Sequence, residues 1–492
     1  MAPHRGYDDA INTHPIEYLI GMYLHLLAPF LLTKVMPVHS LSPILFLVFG
    51  GFLSTINHTR YAVKIPFFYD SREHDTHHRL QKFNYATYFH GWDMMYGTWK
   101  AWGEPPVQKV RVGRPAPPLS SSSSSSVCSA PARCVVTGGN GLVGSRLVSM
   151  LIERGALSVI SVDLNDPNDE VRCKDKKVTY VKADICDKDA MKGIVEGATA
   201  VFHVAALVGP YYPQEAYERV NHLGSKSVVD ACLSSKTVLA LVVTSSPSTR
   251  LDGSDVVNLK EDELKIPKPG KYLQEYARSK AVGEAVALAA NGSKTAGGHA
   301  LHICAIAPHQ VYGNADTLFL PSMLRAAAAG QLRIFGVGDN FCSFTHVDNV
   351  CHAHVLAAKE LAKGNVGGEF FVVTDGGAQY LWDAIDSAVT RCGLRSLNDM
   401  FHVEEFVLYP IAHICLFLNR FKRVPFRISP FAVRMLTMNR YFNIDKIREK
   451  LNYSPVVDFE SAWPAAADSA KKRLEREGIT FPQSAAGSKK DL

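Results

Sequence analysis

No C-x-x-C pair occurs among the ten cysteines of this 492-residue chain, which are scattered from Cys128 to Cys415. That spacing excludes the usual zinc ribbon and a short redox motif, and it reads as a reduced, cytosol-facing protein rather than a disulfide framework. No long lysine or arginine run is present, and 53 basic against 47 acidic residues leave a net charge of only +6. Nothing in that balance calls for nucleic acid. The opening Met-Ala-Pro-His-Arg-Gly-Tyr-Asp-Asp lacks the arrangement of a secretory signal peptide. Apolar residues are not lacking: at 47% they suffice for a large core, and the length implies two to four domains.

Composition divides the chain. Residues 1–105 are apolar, aromatic and rich in histidine. Ile16–Val35 is nearly continuous in apolar residues and long enough for a span of about 20 residues. His25 and Pro29 interrupt it, so a kinked or re-entrant helix is one form it can take. Ile44–Ile56 is a second, shorter run; the two can form a hairpin in one leaflet or a pair of buried helices. Residues 106–132 hold Pro-Ala-Pro-Pro-Leu and seven consecutive serines, Ser120–Ser126, with no apolar period to repay ordering. They read as a flexible linker and a domain boundary.

From Arg133 the pattern is strand, glycine turn, helix, strand. Cys134–Val136, Val159–Val162, Val178–Lys182, Ala200–Val204 and Leu239–Val243 read as strands, and Ser145–Arg154 as a helix. Alternation of this kind predicts an α/β fold, a Rossmann-type doubly wound parallel sheet. Residues 301–480 are less regular and read as later strands plus a smaller C-terminal substrate subdomain. The catalytic domain is taken as 133–485 and the tail as 486–492.

Gly138, Gly141 and Gly144 give G-x-x-G-x-x-G directly after a strand. Such glycines permit a tight turn, a close approach of backbone N–H groups (here with Leu142 and Val143) to a pyrophosphate, and close helix–strand packing. Asp163 ends the next strand, 19 residues beyond Gly144. A carboxylate there accepts from ribose hydroxyls and repels a 2′-phosphate, which favours NAD over NADP. Asp184 is placed to meet the adenine, and Ala205 and Ala206, in His203-Val-Ala-Ala206, to line the dinucleotide groove; simple sheet packing would also account for them.

Tyr276 and Lys280 stand at i and i+4 and share one helix face. A phenol titrates near pH 10, so bringing it to neutrality takes about 4 kcal/mol of differential interaction. The ammonium of Lys280 and a cationic nicotinamide would both act in that direction, letting Tyr276 accept a proton from an alcohol. Ser246 would hydrogen-bond the same oxygen; Ser245 competes for the role, and Ser246 is preferred.

Several further segments carry a family likeness. Val201-Phe-His-Val-Ala-Ala-Leu207, Val220-Asn221-His-Leu-Gly224, Phe344-Thr-His-Val-Asp-Asn349, Val373-Thr-Asp-Gly376 and Arg440-Tyr-Phe-Asn-Ile-Asp445 make residues 133–480 resemble the 3β-hydroxysteroid dehydrogenases, a group of extended short-chain dehydrogenases. The likeness is greatest to the branch that oxidises and decarboxylates 4-carboxysterols. It implies NAD as cofactor and maps the Ser–Tyr–Lys triad onto Ser246, Tyr276 and Lys280. Ala307-Pro308-His309 stands where many relatives carry Arg-Pro, so an arginine contact is absent or is replaced by His309.

The N-terminal region resembles part of the fatty acid hydroxylase/sterol desaturase superfamily, which includes sterol C4-methyl oxidases. The likeness rests on His74-Asp-Thr-His77-His78, with His14-Pro-Ile-Glu17, Asn84-Tyr85 and Trp92-Asp. It implies iron, with His58, His74, His77 and His78 as the candidate ligands. That family uses three histidine boxes and this chain shows only the last, so the set is incomplete.

Together the two likenesses imply a membrane-associated, NAD-dependent dehydrogenase. It would oxidise the 3β-hydroxyl of a 4-carboxysterol with loss of CO2, in sterol C4 demethylation. They further imply a sterol substrate, other C4-demethylation enzymes as partners, and a homodimer. The closing Lys489-Lys490-Asp491-Leu492 resembles a dilysine retrieval signal, which points to the endoplasmic reticulum membrane with the catalytic domain facing the cytosol. A dehydrogenase/isomerase and a non-catalytic NAD-binding scaffold are the alternatives.

Overall fold

The computed structural model describes residues 64–65, 69–70, 129–209, 212–268, 270–418 and 428–482. Backbone contacts divide the chain into two units, one of Met1–Arg111 with Glu404–Pro410, the other of Val112–Val403 with Ile411–Leu492. In the first, Lys64–Ile65 pairs antiparallel with Tyr69–Asp70. The two long apolar runs, the histidines His58, His74, His77 and His78, the serine tract and the dilysine tail lie outside the described residues.

The second unit is built on seven parallel strands: β1 (Arg133–Thr137), β2 (Ser158–Asp163), β3 (Val178–Lys182), β4 (Ala200–His203), β5 (Ala240–Thr244), β7 (His302–Pro308) and β9 (Phe370–Val373). Their order is β9-β7-β5-β4-β1-β2-β3. The chain moves outward from β1 to β3, then returns to the other side of β1 at β4. That reversal opens a crevice beyond the carboxyl ends of β1 and β4, where ligands bind in sheets of this kind. The strand expectations hold to within a residue at each end.

Adjacent strand residues point to opposite faces, and the core splits accordingly. Val136, Phe202 and Val242 pack with Leu147, Val148 and Leu151 of α1 (Leu142–Glu153) and with Cys351, Val355 and Ala358 of Val347–Ala362. Val135, Val201 and Leu241 pack on the other side with Met191 and Val195 of α2 (Lys188–Val195) and with Val228 and Cys232 of α3 (Ser225–Ser234). Helix α4 (Glu275–Ala289) joins that second layer through Ala287.

A second, four-stranded sheet forms the smaller subdomain: β10 (Gln379–Tyr380), β8 (Phe341–Cys342), β11 (Arg440–Phe442) and β6 (Val256–Leu259), in the order β10-β8-β11-β6. Residues 301–480 thus supply both late main-sheet strands and most of the subdomain, as expected. The sequence reading did not foresee β6, which lies far upstream and joins through β11. Trp382 and Trp463 anchor this subdomain's own core.

The apolar run Phe406–Phe421 contains a helix, Glu405–Leu418, with Pro410 inside it. Phe406, Ile414, Leu416 and Phe417 on it are exposed. Its 14 described residues fall short of the about 20 that a bilayer span takes. No helix among the described residues is long and apolar enough to cross a membrane.

Candidate active site

The glycine turn connects β1 to α1 at the reversal point. Gly138 has φ +72°, and a Cβ there would lie 2.7 Å from the Ala205 backbone. A Cβ on Gly144 would lie 2.0 Å from the Gly138 carbonyl oxygen. Both positions therefore require glycine, one for the turn and for the close passage of the β4 loop, the other for helix–turn packing. Gly141 is the helix N-cap in extended backbone, with no side-chain cap. The first-turn N–H groups at Leu142, Val143 and Gly144, which have no intrahelical acceptor, are left to an anion at the positive end of α1. This cradle fits a dinucleotide pyrophosphate.

Asp163 closes β2, and its Oδ2 accepts the Asn140 N–H at 3.1 Å, tying the turn to the next strand. Asp184 is more occupied than the sequence suggests. Its Oδ1 accepts the Cys186 N–H at 2.9 Å, and its other oxygen pairs with Arg219. Burial opposes its ionisation, but the Cys186 N–H and the Arg219 guanidinium hold it below the usual carboxylate range. Ala205 donates its N–H to Thr137 Oγ1 at 3.3 Å beside Gly138, and Ala206 follows in the same loop.

The structure brings Ser246, Tyr276 and Lys280 together. Ser246 follows β5 and caps a short 3-10 turn, Pro247–Arg250, accepting the Ser248 N–H at 3.2 Å. Tyr276 and Lys280 lie in the first turns of α4. Part of the Tyr276 ring reaches the surface, while its hydroxyl is enclosed and hydrogen-bonded to Ser246. Ser245 points elsewhere and donates to Glu284.

One electrostatic expectation is corrected. Tyr276 is not depressed in the protein alone: burial pushes its phenol up to about 12, against the opposing Ser246 hydrogen bond. Lys280 does not direct its ammonium at the phenol but donates to the Thr244 carbonyl at 2.6 Å. Burial lowers its own pKa to about 8, with the Glu284 charge opposing. The phenol is therefore neutral in the protein alone.

Two residues escaped the sequence reading as site residues. Asn221 sits in a π-helical turn, Glu218–Gly224, of the kind often found at functional sites. Its amide brackets the Leu207 peptide, accepting N–H at 2.8 Å and donating to the carbonyl at 3.2 Å, and it donates to Ser279 Oγ at 3.1 Å. A Cβ on Gly283 of α4 would lie 2.1 Å from the Asn221 carbonyl oxygen, so glycine lets the two helices meet. Asn221 stands in one of the segments that carry the family likeness, but nothing in the sequence pairs it with Gly283.

The second is Arg440 of β11. His309 comes immediately after β7, beside the strand that leads to Ser246. It gives its Nδ1 proton to the Ser343 carbonyl at 2.6 Å, leaving Nε2 to accept from Arg440 Nη1 at 3.2 Å. Burial holds the imidazole down at about 3, hence neutral. Arg440 is 4% exposed, and its Nε has no acceptor. Among the described residues no carboxylate pairs with it. A guanidinium does stand at the Ala307-Pro308-His309 position, but it arrives from the second sheet.

The doubly wound sheet with this crevice is the frame of nucleotide-binding α/β enzymes, and it is similar to solved structures of that kind. The dTDP-glucose 4,6-dehydratase of Streptomyces venezuelae with NAD and TYD bound superposes with a TM-score of 0.55 at 21% identity, over 71% of this chain and 100% of that one. MoeE5 in complex with UDP-glucuronic acid and NAD gives 0.53 at 22%, over 70% and 100%. At these identities the likeness speaks for fold alone.

The chain belongs to the 3-beta hydroxysteroid dehydrogenase/isomerase family, whose profile matches residues 135–400. Residues 6–98 match the fatty acid hydroxylase family. The chain is 33% identical over 357 residues to the 3beta-hydroxysteroid-dehydrogenase/decarboxylase isoform 1 of Arabidopsis thaliana, covering 68% of this chain and 79% of that one. It is 28% identical over 336 residues to the sterol-4-alpha-carboxylate 3-dehydrogenase, decarboxylating, of Mus musculus, covering 67% and 88%.

Proposed function

We propose that this protein oxidises the 3β-hydroxyl of a 4-carboxysterol with NAD and releases CO2, within sterol C4 demethylation. The observation that carries the chemistry is the enclosed Tyr276 hydroxyl bonded to Ser246, with the buried Lys280 one turn along the same helix. NAD, when bound, supplies the hydride acceptor and a positive charge near the phenol. With that charge in place the Tyr276 proton would leave to solvent, and the resulting phenolate would take the alcohol proton as the C–H electron pair leaves carbon as hydride to NAD, while Ser246 holds the same oxygen. The product is a β-keto acid. Its C4–carboxyl bond breaks with the electron pair delocalised into the new ketone as enolate, which is then protonated. Relatives named for this decarboxylating reaction support the substrate class. Arg440 supports it as well: His309 and the Met435 carbonyl hold its two terminal nitrogens, but its Nε lacks an acceptor, which a substrate carboxylate would supply.

The protein works at a membrane surface in this reading, with the endoplasmic reticulum as the site and the dehydrogenase domain on the cytosolic side. The fatty acid hydroxylase-like region and the exposed apolar helix Glu405–Leu418 support the membrane association. Incubation of the full-length protein with NAD and either a 4-carboxysterol or a 3β-hydroxy-5-ene steroid tests the proposal. CO2 released in step with NADH supports it; a conjugated 4-ene-3-one from the second substrate, with no CO2 from the first, overturns it.

A further inference from the structure

Glu284 stands on α4 two turns beyond Tyr276 and one turn beyond Lys280, so Tyr276, Lys280 and Glu284 share one face at i, i+4 and i+8. Its side chain is 4% exposed. One carboxylate oxygen accepts from Arg250 Nη2 at 2.5 Å, and Arg250 is itself only 8% exposed. The other accepts the Ser245 hydroxyl and lies 3.5 Å from Thr249 Oγ1. Arg250 also donates to Thr249 Oγ1 at 2.7 Å and lies 4.1 Å over the Phe370 ring. The carboxylate therefore grips the chain on both sides of Ser246, Ser245 before it and Thr249–Arg250 after it. It fastens that segment to the helix carrying Tyr276 and Lys280.

A buried ion pair is a poor device for stability alone, because apolar residues of similar volume often serve as well or better. Here it lies next to a buried ammonium. Lys280 shares a helix face with Tyr276 and faces Glu284 on that helix, His203 on β4, His354 through Thr244, and, beyond Glu284, Arg250. Burial keeps His203 and His354 neutral, at about 3 and about 4. Glu284 is thus the anion in that set.

We propose that Glu284, held by Arg250, is a positioning residue: it fixes Ser246 against the Tyr276 phenol and supplies the negative charge one turn behind the Lys280 ammonium. This rests on the dehydrogenase reading of Ser246, Tyr276 and Lys280. If Tyr276→Phe kept full turnover, that reading would fail before this one was reached.

The test is the pH profile of kcat/KM on full-length protein, with a 3β-hydroxysteroid and NAD, for Glu284→Gln and Arg250→Gln. Removing the anion favours the neutral amine, so Glu284→Gln moves the alkaline limb to lower pH by about one unit and lowers kcat at least about tenfold, with KM for NAD nearly unchanged. Arg250→Gln leaves the anion uncompensated and moves the limb the other way. Ser245→Ala keeps both charges; it lowers kcat and leaves the limb in place. Opposite displacements from the two charge variants support the proposal. Unmoved limbs, or limbs moving in the same direction, overturn it. If Glu284→Gln does not fold, the sign from Arg250→Gln alone decides.

Discussion

Lys280 donates its ammonium to the Thr244 carbonyl at 2.6 Å rather than to the Tyr276 hydroxyl one helical turn away. The lysine is buried at the end of β5. Its charge costs free energy there: folded, its pKa is about 8, against an ordinary 10.5. The folded protein binds fewer protons at this site than the unfolded chain between those values. Stability from this group therefore rises with pH across about 8 to 10.5 and carries its full cost below 8. Lys280→Met is expected to abolish turnover yet raise unfolding free energy at neutral pH by about 2 kcal/mol, after about 1 kcal/mol is lost with the Thr244 bond. Thermal unfolding at pH 7 and pH 10 checks this; the gain should shrink at the higher pH.

Tyr276→Phe removes the proton acceptor and little else, because the ring keeps its edge contact with Tyr217, centroids 6.3 Å apart. Turnover is expected to fall by about 10²–10⁴-fold. NAD affinity, read by fluorescence titration, should change by less than about threefold, since the glycine cradle is untouched.

Gly144→Ala would place a methyl 2.0 Å from the Gly138 carbonyl, which is backbone and cannot step aside cheaply. The turn must open, so NAD affinity is expected to drop at least about tenfold, with stability falling by about 1–3 kcal/mol. Titration calorimetry and chemical denaturation would separate the two effects. Retained affinity would show that the cradle is not where the pyrophosphate sits.

The parts of this site legible in sequence are those written at short range. The glycine spacing, the carboxylate ending the next strand, and the phenol–ammonium pair each depend on a single turn, strand or helix face. The rest needs the tertiary fold. Arg250 meets Glu284 across 34 positions, Asn221 meets Ser279 across 58, and Arg440 meets His309 across 131. No period in the chain announces such pairs. The misjudged phenol has the same origin: helical spacing revealed the neighbouring charge, but not that burial would outweigh it.

Arg440 offers the sharpest discrimination between substrates. A buried guanidinium with an unused N–H is costly unless something completes it. A 4-carboxylate would do so through a charge-assisted bond worth about 1.5–3 kcal/mol. Arg440→Met should therefore lower kcat/KM for a 4-carboxysterol by about 10–100-fold and leave a 3β-hydroxysterol without the carboxyl within about threefold. Stability should fall by about 1–3 kcal/mol, because methionine leaves the Met435 carbonyl and His309 Nε2 without their donors, so the substrate comparison and not the stability carries the test. Arg440→Lys should rescue only part of the loss, since an ammonium cannot reproduce both the Met435 carbonyl bond and the His309 contact. An equal loss on both substrates would mean that Arg440 braces the second sheet and does not read the carboxylate.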